Sequence, residues 1–278
     1  MLRLLNIELQ KLRYSKSAKI ISITYFVLIS FIALIASIEF SFGGTNFRIA
    51  DQGIFNFPYI WHFNTYIAAV LKLFLAIVIV SMMSNEYSYR TLKQNLIDGL
   101  SKKEFVLSKF LTVIGFAVIS TVFVFIVSMI LGLSFSDYDE VGIIFSDLEY
   151  LLAYFVKLLG FFSFCLFLGV LVKRSAFALG FLLIWSILEN IAIGLMKWEF
   201  FKGTDVAANV SQFFPLESMG NLIKEPFSRL NFIQTAATQL GEGFTKSYDV
   251  TWYGVLIVLI WTAVFMYGSY AILKKRDL

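Results

Sequence analysis

The sequence predicts an all-α, polytopic membrane protein with six transmembrane helices. Hydrophobic residues make up 59% of its 278 residues and charged residues only 15%, where a soluble domain carries about 25% charged residues. Mean hydropathy is +0.78. The apolar residues are gathered into six runs, each near the roughly 20 residues that a span requires. Proline is scarce (3) and phenylalanine abundant (31), as suits long lipid-facing helices.

Along the chain, residues 1–19 come first. Leu2, Leu5, Leu9 and Leu12 recur at spacings of three and four, beside Arg3, Asn6, Gln10 and Arg13, which predicts an amphipathic helix lying in the membrane interface. Spans follow at 20–38, 64–84, 105–133, 148–172, 176–196 and 250–273. Residues 40–63 form a Gly- and aromatic-rich loop, in which Tyr59 and Trp61, with Tyr66 just beyond it, fit an interfacial belt. Only Lys173, Arg174 and Ser175 separate the fourth and fifth spans, so these form a tight hairpin. Residues 197–249 are longer than a connector needs. Within them 216–224 and 230–240 read as short helices on either side of Pro226.

Charge sets the orientation. Both termini and the second and fourth connections hold fifteen Lys and Arg against five acids, and the other side holds six against thirteen. Excess Lys and Arg marks the cytoplasmic face, so both termini are expected inside.

Residues 85–104 are then a polar, helix-patterned stretch on the cytoplasmic face. Glu86 and Arg90 are spaced as a helical pair. Leu92, Leu96 and Leu100 recur at four, Gly99 is a helix terminator, and Ser101 with Glu104 has the form of a capping box. A short coupling helix, tied to the spans on both sides, is the expected result, with its leucine stripe as an interaction surface.

Within the spans, Lys72, Lys157 and Glu189 are costly in lipid and therefore candidate functional residues. At 1.5 Å per residue each lies about 10–14 Å below the outer surface. Three readings stay open: Glu189 pairs with one of the lysines, the lysines snorkel outward, or the layer lines a substrate path. The single cysteine, Cys165, and single histidine, His62, argue against a disulfide framework and a Cys- or His-based metal site. Cys165 reads as a small packing residue and His62 as an interface residue.

These elements resemble the type-2 permease family of ATP-binding-cassette (ABC) exporters. Glu86 stands at the end of span two, followed by Thr91-Leu92, then the turn Ser101-Lys102, then Lys109 opening span three. The tail Lys274-Lys275-Arg276-Asp277-Leu278 and Phe213-Phe214-Pro215-Leu216 are similar to segments of that family. Arg90 stands where glycine is usual there, and Gly99-Leu100 where proline is common. The resemblance implies a permease subunit that carries out no catalysis and binds no cofactor. A separate ATPase that uses ATP and Mg would dock on Glu86, Arg90, Leu92, Leu96 and Leu100 and near Lys173 and Arg174. It further implies a second permease copy or sister subunit, membrane lipids and no nucleic acid as partners, and a bacterial cytoplasmic membrane as location. No Gly-x-x-x-x-Gly-Lys-Ser/Thr loop occurs; the nearest string, Gly241 to Ser247, lacks the required glycines. A proton-coupled secondary transporter using Glu189, and a non-transporting sensor or immunity subunit of the same family, remain as alternatives.

Overall fold

The computed structural model describes all residues except 1, 43–44, 203, 231–232, 235–238, 240–246 and 277–278, and leaves out the side chains of 2–4, 33, 36–37, 40–49 and 51. It is a helical membrane protein. Among the described residues four helices are long and apolar enough to cross a membrane, and six spans result if each of two bent helix pairs is one span.

Helix α1 (Leu2–Tyr14) meets α2 (Lys16–Ser37) at an 89° elbow. Ser15 makes the break: its backbone is extended and its Oγ accepts the Ala18 N–H at 3.3 Å, satisfying a donor that a helix start leaves open. Next come two strands, β1 (Glu39–Phe42) and β2 (Thr45–Arg48), paired antiparallel with Phe42 opposite Thr45. Apart from this short pairing the elements are helical, in keeping with the all-α expectation. The sequence places Gly-Gly between two short aromatic runs, a composition that favours hairpins.

Span two begins earlier than residue 64 and is bent. Helix α3 (Tyr59–Val70) and α4 (Leu73–Ser88) meet at 45°. At the join Phe74 N–H bonds the Leu71 carbonyl, three residues back, so the hydrogen-bond ladder tightens locally and the axis turns. Then follow α5 (Thr91–Ile97), α6 (Lys102–Phe135), α7 (Val141–Ile144), α8 (Glu149–Val172) and α9 (Ser175–Leu195), the last running on into a π turn, Met196–Phe200. The segment 197–249 contains α10 (Val206–Ser211) and α11 (Pro215–Asn221), and α12 (Trp252–Lys275) follows it. Most of the helix expected over 230–240 lies outside the described residues.

Helix α8 is the hub. It packs on α3, α4, α6, α9, α11 and α12 and is buried through most of its length. Two glycines permit this. A Cβ on Gly160 would lie 2.6 Å from Val258 Cγ1 of α12, and one on Gly169 would lie 3.0 Å from Met83 Cβ of α4, so small residues set the helix separations. Gly180 has open space around it. A ring of three buried hydroxyls ties α2, α6 and α8: Tyr25 to Ser120 at 2.6 Å, Tyr25 to Tyr154 at 2.6 Å and Ser120 to Tyr154 at 2.8 Å. Each is satisfied by the others, which makes the polar burial tolerable.

The two ends of the chain share one face. Lys102 Nζ donates to the Lys274 and Arg276 carbonyls at 3.3 and 2.8 Å. The Arg276 guanidinium donates to the Val170 and Leu171 carbonyls and to the Tyr87 hydroxyl. Cations thus meet the orphan carbonyls at the C-terminal ends of α8 and α12, where the helix dipole favours them.

Candidate functional site

On that same face α4, α5 and α6 join in tight turns. Helix α4 stops at Ser88, and Arg90 takes a left-handed conformation, φ 56°, before α5. The expected Glu86–Arg90 helical pair is therefore absent: the helix that would align them ends between them. Gly99, at φ 94°, closes α5. Gly99 N–H bonds Leu96 O and Leu100 N–H bonds Asn95 O, the paired bonds of a Schellman cap. Ser101 then opens α6 with both halves of its capping box to Glu104 in place.

Glu86 instead faces inward, into a cluster of four charges. Lys109 Nζ, on α6, lies 2.5 Å from Glu86 Oε1 and 2.6 Å from Glu8 Oε2 of α1. Lys11 Nζ lies 2.7 Å from the same Glu86 oxygen and 3.4 Å from Glu8. Thr91, the first residue of α5, donates to Glu86 Oε2 at 2.5 Å. The cluster is neutral, two acids against two lysines. Glu8, Glu86 and Lys109 are buried, while the Lys11 side chain is about a third exposed. Desolvation works against the Lys11 ammonium, but its hydrogen bond to Glu86 and the field of Glu8 outweigh this and hold its pKa above the usual lysine value. Four elements (α1, α4, α5 and α6) are joined here through side chains far apart in sequence.

The faces of α1 and α5 follow. In α1, Glu8 turns to the bundle, Leu5 and Leu12 are half-buried and Leu9 is exposed; the side chain of Leu2 lies outside the described residues. In α5, Leu92 is buried and Leu96 and Leu100 pack on the core. The leucine stripe therefore anchors the helix and is not a free surface. Solvent meets Tyr89, Arg90, Lys93 and Ile97, with Ile97 74% exposed. Nearby, Lys173 is the left-handed cap of α8, φ 64°, with Nζ 5.6 Å from the centre of the Tyr87 ring; Lys173 and Arg174 are both exposed.

The three charges in the spans do not pair with one another. Glu189 accepts the Trp185 indole N–H at 3.0 Å and the Glu217 backbone N–H at 2.7 Å. Lys157 donates to the Gly220 and Ile223 carbonyls at 3.2 and 3.4 Å. The seven-residue α11 sits between them, with the carboxylate at its N-terminal end and the ammonium at its C-terminal end. That is the sense the helix dipole favours. Lys72 stands at the α3–α4 bend with Nζ 4.7 Å from the centre of the Phe161 ring. Phe161 lies midway along α8, so Lys72 turns into the bundle instead of snorkelling outward.

The opposite face holds contacts that periodicity missed. Trp61 and His62 are buried and belong to no interfacial belt. The Trp61 indole donates to Ile144 O at 2.8 Å and stacks on Phe125. His62 stacks on Tyr150, with Nε2 2.9 Å from Lys224 O and Nδ1 3.1 Å from Arg229 Nη1. Tyr59 donates to Pro226 O at 2.7 Å. These contacts hold residues 224–229 onto α3 and α8. The aromatic composition was visible in the sequence; the partners more than 60 residues away were not. Among the described residues no group of three or more His, Cys, Asp or Glu is placed to hold a metal ion.

Residues 31–278 match the family described as Protein of unknown function (DUF2705), and the chain belongs to that family. Comparison with curated proteins found no match.

Proposed function

We propose that this member of a family of unknown function is the membrane permease subunit of an ABC exporter, located in a bacterial cytoplasmic membrane. The observation that carries the reading is α5. It is an exposed short helix on the face that holds both chain ends, and its root is fixed through Glu86 to α1 and α6. In this reading that face is cytoplasmic, in keeping with its excess of Lys and Arg. A separate ATPase, which supplies the ATP and Mg chemistry, docks on Tyr89, Arg90, Lys93 and Ile97, with Lys173 and Arg174 alongside. Leu92, Leu96 and Leu100 hold α5 to the spans. A push on α5 reaches α4 and α6 through Glu86 and Lys109 and reaches α1 through Glu8. Two such subunits, identical or sister chains, enclose the path.

The proton-coupled alternative relied on Glu189 as carrier. Both of its carboxylate oxygens are engaged by N–H donors, which favours the ATP-driven reading.

The test is co-purification with an ATPase encoded beside this chain. Lys93→Glu/Ile97→Asp replaces exposed residues, so the fold is retained while ATPase recovery falls about tenfold or more, the equivalent of about 1.4 kcal/mol. Unchanged recovery from that double variant overturns the docking assignment.

A further inference from the structure

Lys157 and Glu189 each have a structural employment, at the two ends of α11. Lys72 has none. Its ammonium lies against the Phe161 ring, and it makes no ion pair or hydrogen bond with any described residue. A cation over a ring face is stabilised less than one that meets an anion, and at this depth water supplies little of the difference.

The surroundings of Lys72 are hollow. It lines a cavity of about 310 Å³ with Val70, Leu73, Leu183, Ser186, Glu189 and Glu217. It also lines a second cavity, of about 430 Å³, with Tyr66, Lys157 and Lys224. Both volumes are in the range that holds small ligands. The first cavity opens on an exposed apolar side: Val70, Leu73 and Leu183 are 58%, 47% and 60% exposed. Its wall is thus apolar at the mouth; within, Lys72 stands with Glu189 and Glu217, while the second cavity holds Lys72, Lys157 and Lys224 against Glu225. The acids nearby are committed elsewhere. Glu189 serves the Trp185 and Glu217 N–H groups, Glu217 accepts from Asn221, and Glu225 accepts from Ser228.

We infer that Lys72 is the anion-recognising residue of a binding site for an anionic amphiphile, which enters from the lipid between α4 and α9. The phosphate or carboxylate head meets Lys72 at the α3–α4 bend, on the side of the second cavity where Lys157 and Lys224 also lie, and the apolar tail lies along Val70, Leu73 and Leu183. The 45° bend matters because it sets the side chain of residue 72 at the rim shared by the two cavities. The site stands whether or not an ATPase docks on α5.

The test uses the full chain in phosphatidylcholine nanodiscs, without ATPase, and phenyl isothiocyanate, which partitions into lipid and modifies amines. Mass spectrometry reads modification at Lys72. The expected result is labelling in phosphatidylcholine alone, an about tenfold slower reaction when phosphatidylglycerol is included, and no protection by inorganic phosphate. Absence of labelling, equal labelling with and without phosphatidylglycerol, or equal protection by inorganic phosphate overturns the inference. In native mass spectrometry after delipidation, Lys72→Gln loses one retained phosphatidylglycerol and Lys72→Arg keeps it; full retention by Lys72→Gln also overturns it. If Lys72→Gln does not fold, the labelling of the wild-type chain decides alone.

Discussion

Lys109→Met removes the centre of the four-charge cluster. The Lys109 side chain is 1% exposed, and those of Glu8 and Glu86 are 3% exposed, so the variant leaves two carboxylates buried with one lysine between them. Breaking a buried ion pair on one side costs about 3–5 kcal/mol. Lys11 stays 2.7 Å from Glu86 and 3.4 Å from Glu8 and offsets part of that, so the expected loss is about 3 kcal/mol, the lower end of that range. Lys11→Met is milder. Lys109 still faces both acids, and a partly exposed pair is worth about 1 kcal/mol or less. At about 2–4 °C per kcal/mol, Lys109→Met lowers the unfolding midpoint by roughly 6–12 °C and Lys11→Met by no more than about 4 °C. The chain supplies its own reporter. Cys165 is its one cysteine, free and fully buried, so a thiol-reactive fluorogenic dye added to detergent-solubilised protein lights up on unfolding. Adding Glu86→Gln to Lys109→Met removes the excess negative charge, leaving Glu8 with Lys11, and restores part of the midpoint. Equal losses for the two lysine variants, or no restoration by Glu86→Gln, would refute the cluster as the joint between α1, α4 and α6.

Two further expectations concern the bundle. Glu189→Leu orphans the Glu217 N–H and the Trp185 indole, at a cost of about 1–3 kcal/mol, and loosens α11, read as faster labelling of a cysteine placed at Asn221. The exchange Glu189→Lys with Lys157→Glu gives no rescue, because each residue faces backbone groups and not the other; recovery would show direct pairing instead. Gly160→Ala brings a methyl against Val258 and costs about 1–3 kcal/mol by overpacking, measured as the shift in unfolding midpoint. Val258→Ala in the same chain relieves most of that shift, and failure to relieve it would place the strain elsewhere.

What the sequence made legible was local. The long apolar runs located the bundle, and Gly99, Ser101 and Glu104 marked a stop and a restart that the structure contains, because caps are made by residues three or four apart. Glu86 was read as the partner of Arg90 for the same reason, since only neighbours within one helix are visible to spacing. Its true ion-pair partners are Lys109, on another helix, and Lys11, on a third. The leucines of α5 were identified as one stripe, but a stripe does not say whether it faces a partner or its own bundle. Lys157 and Glu189 were placed at a common depth; the short helix inserted between them had no signal in either span. The bend at Lys72 was equally silent, as residues 64–84 contain no proline to announce it.

Helix α11 also ranks the ways the bundle can open. At one face α8 and α9 are joined covalently by the turn at Lys173–Arg174. At the other, α11 bridges them, with Lys157 of α8 on its C-terminal end and Glu189 of α9 on its N-terminal end. The two fastenings are unequal. Lys157 reaches two carbonyls, and α11 also packs on α12, which makes the most extensive helix contact of α8. Glu189 holds one backbone N–H, from a helix that is largely exposed. When α8 and α9 separate, the Glu189 end therefore lets go first and α11 travels with α8 and α12. The hairpin is thus fastened by the chain itself at the Lys173 turn and by the single carboxylate of Glu189 at its other end.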